Sequence, residues 1–282
     1  MKMKVAMLQT KVYADKNRNL EQVRALMARE DVSSCDLVTL PEMWNCPYQT
    51  ENFPVYAEHQ DSDYVRALAE LAREHRVYFQ AGSIAEIDDE GRIYNTAYTF
   101  DREGKLIGKH RKVHLFDIYA HGQQVFKESD TLSAGDTFEV FDTEFGKMAV
   151  NICFDIRFPE SSRIPALKGA RIIMNPGAFN MTTGPAHWEI GFRQRAIENQ
   201  VFMIGTAPSR DLEAGYIAWG HSIITDPWGK VIVQLDEGEG VAIAELNLNE
   251  IDRIRAKLPL MSARRTDLYT LEEIRSAKEL MR

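Results

Sequence analysis

Cysteine is scarce in this chain: Cys35, Cys46 and Cys153 are the three among 282 residues. An odd, sparse set builds no disulfide framework, and without a C-x-x-C pair it offers no thiolate zinc site. A chain free of disulfides suits a reducing compartment, so a cytoplasmic location is the default expectation. Long apolar runs are missing. None approaches the roughly 20 residues that cross a bilayer, and the short apolar stretch in MKMKVAMLQTK reads as a strand, not as a signal peptide. Positive charge is in deficit: 34 Lys and Arg against 42 Asp and Glu give −8. That sign opposes non-specific binding to nucleic acid or to an anionic membrane, both of which need clustered cations. It leaves room for a small acidic substrate, because one local Arg outweighs a distant net charge. The glycines form neither a Walker A loop nor a dinucleotide fingerprint. His110, His121, His187 and His221 belong to no metal-binding helix motif. His110 and His114, read as sharing one face of a strand, lack a third ligand. These histidines are therefore expected to be structural, and no metal or organic cofactor is expected.

What is present is an alternation of short apolar runs and helical patterns. Strands are expected at 5–8, 37–40, 77–81 and 93–100. Further strands are expected at 138–142, 147–153, 171–175, 201–207, 221–225, 231–235 and 241–247. Helices fit Leu20–Met27, Val65–Ala72 (capped by Asp61 or Ser62), 159–168, 186–199 and 249–257. Asp226-Pro-Trp-Gly229 is a hairpin-turn signal. No linker or low-complexity segment divides the chain, and no repeat of fixed period is visible. One α/β domain over 1–270 with mixed sheets follows, since early strands alternate with helices while later ones follow each other through turns. A polar tail with a helical pattern, 271–282 at its end, would close the chain.

Three places carry candidate chemistry. Cys153 ends an apolar strand, and Pro159 opens a helix just after it. Open α/β folds place reacting groups at such strand ends, although a buried structural cysteine has the same local pattern. Glu42 also lies just past a strand. Trp44, Pro47 and Tyr48 follow it and would wall it from water, raising its pKa and suiting it to take a proton; the alternative is a solvated loop carboxylate. Lys112, in the run Lys109-His-Arg-Lys112, is flanked by Val113 and Leu115, which suggest a partly buried strand. A buried ammonium would stabilise an oxyanion and a neighbouring thiolate, whereas a solvated basic patch is the bland reading. Together a thiolate, a fixed cation and a carboxylate base supply what amide hydrolysis requires. Spacing alone does not bring them into contact.

The contexts Leu40-Pro-Glu-Met43, Arg111-Lys-Val-His-Leu115 and Asn151-Ile-Cys-Phe-Asp-Ile-Arg-Phe-Pro-Glu160, in that order, resemble the glutamate, lysine and nucleophile motifs of the nitrilase (carbon–nitrogen hydrolase) superfamily. The similarity runs from about residue 3 to residue 270. It implies a four-layer α-β-β-α sandwich with two mixed sheets, and a homodimer that extends it. It also implies Glu42 as general base, Lys112 as oxyanion stabiliser, Cys153 as nucleophile and the backbone N–H of Phe154 as second oxyanion donor. Glu128, in Phe126-Lys-Glu-Ser129, matches the family's second glutamate and would position Lys112 or the substrate. His114-Leu-Phe-Asp-Ile118, Asn175–Glu189, Ala218-Trp-Gly-His-Ser222 and Asp226-Pro-Trp-Gly229 look like the ω-amidase branch, whose substrates are α-ketoglutaramate and α-ketosuccinamate. The Gly184–Trp188 run is shared with deaminated-glutathione amidases. That activity, or an N-carbamoyl-amine amidohydrolase, is the nearest alternative; a non-catalytic binding scaffold is a distant one.

A keto-acid amide brings a remote carboxylate that needs donors. Arg157 is the first candidate, because guanidinium binds carboxylate bidentately; an ion pair with Asp155 or Glu160 is its competing role. Thr182, Thr183 and Tyr48 offer hydroxyls. Three departures from the branch pattern stand out: Phe154 in place of a tyrosine, Tyr119–His121 where an acidic residue and a proline are usual, and the Ser161–Pro165 stretch. Cys46 is expected as a surface thiol.

Overall fold

The computed structural model describes residues 1–118 and 126–274. Six strands make a first mixed sheet: β1 (Lys2–Gln9), β2 (Leu37–Thr39), β3 (Tyr78–Ile87), β4 (Ile93–Phe100), β5 (Leu106–Arg111) and, from the far end of the chain, β14 (Gly240–Asn247). Their order is β14-β1-β2-β3-β4-β5. A two-stranded hairpin, β6 (Asp117–Ile118) with β7 (Phe126–Lys127), separates it from the second sheet. That sheet holds β8 (Val140–Thr143), β9 (Gly146–Val150), β10 (Ile172–Pro176), β11 (Phe202–Thr206), β12 (Ile223–Thr225) and β13 (Val231–Gln234) in sequential order. Read from β14 and from β8, both sheets run antiparallel, parallel, parallel, antiparallel, antiparallel. The two halves thus share a pairing pattern without a visible sequence repeat, because pairing depends on where apolar runs fall and not on which residues fill them.

The layers follow from side-chain alternation. On β1, Met3, Val5 and Met7 face the second sheet in one cluster, while Ala6 and Leu8 face the other way. That other side is covered by α1 (Lys16–Met27) through Leu20, Val23 and Met27, and by α4 (Asp63–His75) through Val65, Leu68 and Leu71. The outer face of the second sheet is covered by α5 (Pro159–Leu167) and α6 (Gly184–Asn199), with Trp188, Phe192 and Ala196 inward. The order is therefore helices, sheet, sheet, helices. Short helices α2 (Glu30–Ser33) and α3 (Phe53–Tyr56) complete the first half, and α7 (Asn249–Lys257) follows β14. Thr39 and Thr206, each ending a strand of a different sheet, share a 2.7 Å hydrogen bond across the interface. At α4, Ser62 and not Asp61 is the cap, its hydroxyl accepting from the Val65 N–H at 3.3 Å.

Several expectations are corrected. The strand read through Lys112 ends at Arg111. The strand read through Cys153 ends at Val150, and a 3₁₀ turn begins at the cysteine. The β6–β7 hairpin escaped the sequence reading because its strands have two residues each. Residues 262–274 contain no helix. Instead, Glu273 accepts the Phe138 N–H at 2.6 Å and pairs with Lys168. The rest of the tail, 275–282, and the Tyr119–His121 departure lie outside the described residues. Cys46 is wholly buried, and burial pushes its thiol up to about 12.

Gly82 sits in β3 at φ +61°, where a Cβ would collide with the Pro41 carbonyl and the side chains of Leu40 and Trp44. Gly82→Ala adds left-handed strain to overpacking, so an expected loss of about 2–4 kcal/mol should appear in urea unfolding. Because Pro41 precedes Glu42, activity per folded molecule should fall as well.

Candidate active site

The site gathers at the ends of central strands of the two sheets. Glu42 lies three residues beyond β2, with Met43 after it in a left-handed conformation (φ 47°). Cys153 lies three residues beyond β9 and is itself left-handed (φ 44°). Non-glycine residues adopt this region at a cost, and tight turns that present a reacting group are where it recurs. Lys112 is the first residue past β5, its backbone held by Asn95 O and Gly135 N at 2.8 Å each. Glu128 opens a short 3₁₀ turn after β7.

These four meet. Lys112 Nζ lies 2.9 Å from Glu42 Oε1 and 2.9 Å from Glu128 Oε1. All three side chains are fully buried, so neither the solvated-patch nor the solvated-loop alternative holds. Glu42 is further gripped by Asn95 Nδ2 (2.8 Å) and, through Oε2, by the Ala178 N–H (2.8 Å). Glu128 Oε2 accepts the Phe116 N–H at 2.7 Å. The Tyr48 hydroxyl donates to both carboxylates. The hydroxyl offered by the sequence for a substrate is thus turned toward the cluster, while Tyr48 also lines the cavity beside it.

Two carboxylates around one ammonium leave an excess of negative charge, and the titrating groups respond. Burial alone would lower the Lys112 pKa, but Glu128 and Glu42 outweigh it and hold the amine protonated. Burial, with Glu42 adding to it, pushes Glu128 up against the pull of Lys112. Burial and then Glu42 push the Cys153 thiol well above its ordinary value, while Lys112 opposes them. Burial and Glu42 together thus favour the protonated thiol.

Around this core, Tyr48 packs 4.7 Å from Tyr216 and stacks on Phe126 at 5.6 Å. Tyr216 is anchored through its hydroxyl to the Ala178 carbonyl. Tyr48, Phe116, Phe126, Thr182, Thr183 and Tyr216 line a cavity of about 780 Å³. Thr183 gives its hydroxyl to Asn180 Oδ1 (3.0 Å), and the Thr182 N–H goes to the same oxygen. Phe154 packs edge-on against Phe116 and Phe158. Arg157 lies over the Phe179 ring (4.4 Å) and the Phe154 ring (5.7 Å), and Nη1 meets His187 Nδ1 at 2.8 Å. It forms no ion pair with Asp155 or Glu160: Asp155 is wholly engaged elsewhere, and Arg157 Nε has no hydrogen-bond partner. It opens onto a separate cavity with Phe179 and His187, so it and Thr182 do not share one wall.

Sequence reasoning missed Asn95, Asp155 and Tyr216. Asn95 had a signal, since it is a polar residue on a strand whose neighbours are all buried. Tyr216 had none.

A mixed-sheet sandwich that buries a cysteine beside a carboxylate-bound lysine is the architecture of a hydrolase acting on carbon–nitrogen bonds. The chain belongs to the carbon–nitrogen hydrolase family, which it matches over residues 4–256. It is 42% identical over 269 residues to the ω-amidase NIT2 of Mus musculus, covering 95% of this chain and 97% of that one. It is 45% identical over 275 residues to ω-amidase NIT2-A of Xenopus laevis, covering 98% and 99%. Among solved structures, Nit3 of Saccharomyces cerevisiae, a member of branch 10 of the nitrilase superfamily, superposes with TM-score 0.85 at 40% identity over 94% of this chain and 97% of that one.

Replacing Lys112 with Met would leave two buried carboxylates facing each other. A loss of about 3–5 kcal/mol in stability is expected from such an uncompensated buried charge. Thermal unfolding would register it, and the loss should shrink as the pH falls, because Glu128, already pushed up by burial and by Glu42, takes up a proton.

Proposed function

We propose that this enzyme is an ω-amidase, removing the terminal amide of α-ketoglutaramate or α-ketosuccinamate as ammonia and leaving the keto diacid. The observation that carries the reading is the near-full-length likeness to proteins named ω-amidases.

The proposed chemistry uses the buried cluster in two half-reactions. The Cys153 thiol gives its proton to Glu42 as the sulfur attacks the amide carbon, which becomes tetrahedral. The carbonyl oxygen takes up the electron pair, and its charge falls to Lys112 Nζ and the Phe154 N–H. Collapse expels the amine, which leaves as ammonia with the proton held by Glu42, and a thioester remains on Cys153. Water then loses a proton to Glu42 and attacks the thioester; collapse returns the proton to the sulfur and frees the carboxylic acid. Glu128 reacts with nothing. Hydrogen-bonded to Lys112, Tyr48 and the Phe116 N–H, it keeps the ammonium charged and aimed. No metal or cofactor enters the scheme.

Arg157 is the proposed partner of the substrate's remote carboxylate, supported by its lack of an acidic partner among the described residues and by burial that disfavours its charge until an anion arrives. Thr182 adds a hydroxyl at the cavity rim. The reading further proposes one catalytic domain over residues 1–270, a homodimer and a cytoplasmic enzyme. The exposed Ile190 of α6 and Trp228 are apolar surface that a second copy would cover.

The test is ammonia release from α-ketoglutaramate, with glutamine and a carbamoyl amine as comparators. Wild type should act on the keto amide, and Cys153→Ala should abolish turnover. Arg157→Gln should raise KM by roughly 10- to 100-fold, the loss of a charge-assisted bidentate contact, with a smaller change in kcat. Turnover by Cys153→Ala at the wild-type rate would sink the mechanism. Activity on the carbamoyl amine alone would move the substrate assignment.

A further inference from the structure

We infer that Asp155, bound by His110 and His114, is a positioning residue that sets the distance between the Lys112 ammonium and the Cys153 sulfur. The inference rests on the reading of Cys153 as nucleophile, but not on the identity of the amide.

Asp155 has no exposed surface, and its two oxygens take four donors. Oδ2 accepts the Ile152 N–H at 3.0 Å and His110 Nε2 at 3.0 Å. Oδ1 accepts the His114 N–H at 2.9 Å and His114 Nδ1 at 2.8 Å. Ile152 immediately precedes the nucleophile and Asp155 follows it by two residues. His110 and His114 stand two residues before and after Lys112. One carboxylate therefore grips both sides of the cation's segment and the entry to the strained cysteine turn. Among the described residues, every hydrogen bond between segments 110–116 and 151–158 ends on Asp155.

The chemistry of the donors supports a fixed clamp. A carboxylate only accepts, so His110 Nε2 and His114 Nδ1 each carry a proton. Burial alone would raise Asp155, but its bonds from His110 and His114 hold it below the usual carboxylate range, so it stays charged. Among the described residues His110 Nδ1 is buried without a hydrogen-bond partner, so the ring is held through Nε2 on Asp155. Stacking locks the second ring, His114 lying 3.7 Å from Phe158 at 9°. The β5 end and the Cys153 turn come from different sheets, and nothing in either segment alone fixes their separation. An active site tolerates little play there, since displacement by about 1 Å can lower the rate on the order of 100-fold.

The test separates hydrogen bond from packing at His114. His114→Phe keeps a flat ring on Phe158 and loses the side-chain bond to Asp155. His114→Asn loses the ring and puts an amide N–H where Nδ1 stood. Both keep the backbone bond. Three quantities are read on the full chain: Tm, kcat and KM for ammonia release from α-ketoglutaramate, and the rate of Cys153 alkylation by iodoacetamide, with the modified residue mapped. The expectation for His114→Phe is a folded enzyme with kcat down roughly 10- to 100-fold, KM within about threefold, and alkylation slowed in parallel. His114→Asn should recover kcat to within about fivefold of wild type, because the charge-assisted bond is restored. Wild-type kcat and alkylation in His114→Phe would overturn the inference. So would equal losses in both variants, which would assign His114 to packing alone. If wild type fails on α-ketoglutaramate, the substrate reading falls, and the alkylation rates still decide the clamp.

Discussion

A lysine ammonium with no exposed surface lies 2.9 Å from each of two equally buried carboxylates, and most of the architecture answers to that arrangement. Moving such ions out of water costs several kcal/mol each, and only close pairing with every remaining lone pair engaged offsets it. The surrounding contacts meet that demand: Asn95 and the Ala178 N–H on Glu42, the Phe116 N–H on Glu128, and the Tyr48 hydroxyl on both. These groups come from both sheets and from the β6–β7 hairpin. Sheet-on-sheet packing is thus a precondition of the site as well as the source of the core.

The same cluster explains how a cysteine can be both buried and reactive. Burial first and Glu42 second raise the thiol and favour its protonated form until a substrate arrives. In the proposed scheme Glu42 receives the proton when a carbonyl arrives to take up the electron pair. In that scheme Lys112, already held by two carboxylates, would meet the developing oxyanion without moving, so that electrostatic stabilisation precedes the substrate. Met43, next to Glu42, and Cys153 itself both take left-handed backbone.

Burial also sorts the bystanders. Cys46 shares the chain's chemistry in name only, because an apolar setting raises its thiol with no cation nearby to oppose it. Arg157 sits on the Phe154 and Phe179 rings and, among the described residues, has no carboxylate partner.

Much of this was legible in the residues. The alternation of apolar runs and helical patterns located most strands and helices, since burial on one face imposes a period of 2 or 3.6 on any sequence. The three motifs marked Glu42, Lys112 and Cys153, and Glu128 came with the resemblance. Short elements such as the β6–β7 hairpin were hidden, because their place depends on pairing partners and not on composition. The geometry of the site was hidden for a deeper reason. Asn95, Asp155 and Tyr216 matter through groups far along the chain: the Asn95–Glu42 bond spans 53 positions, Asp155–His114 spans 41 and Tyr216–Ala178 spans 38. The sequence by itself determined which side chains were available and which periods would fold. Only the tertiary structure decided that Tyr48 would serve the carboxylates, that Arg157 would lack an acid, and that two histidines would clasp one aspartate, since each of those contacts exists only once the two sheets have closed on each other.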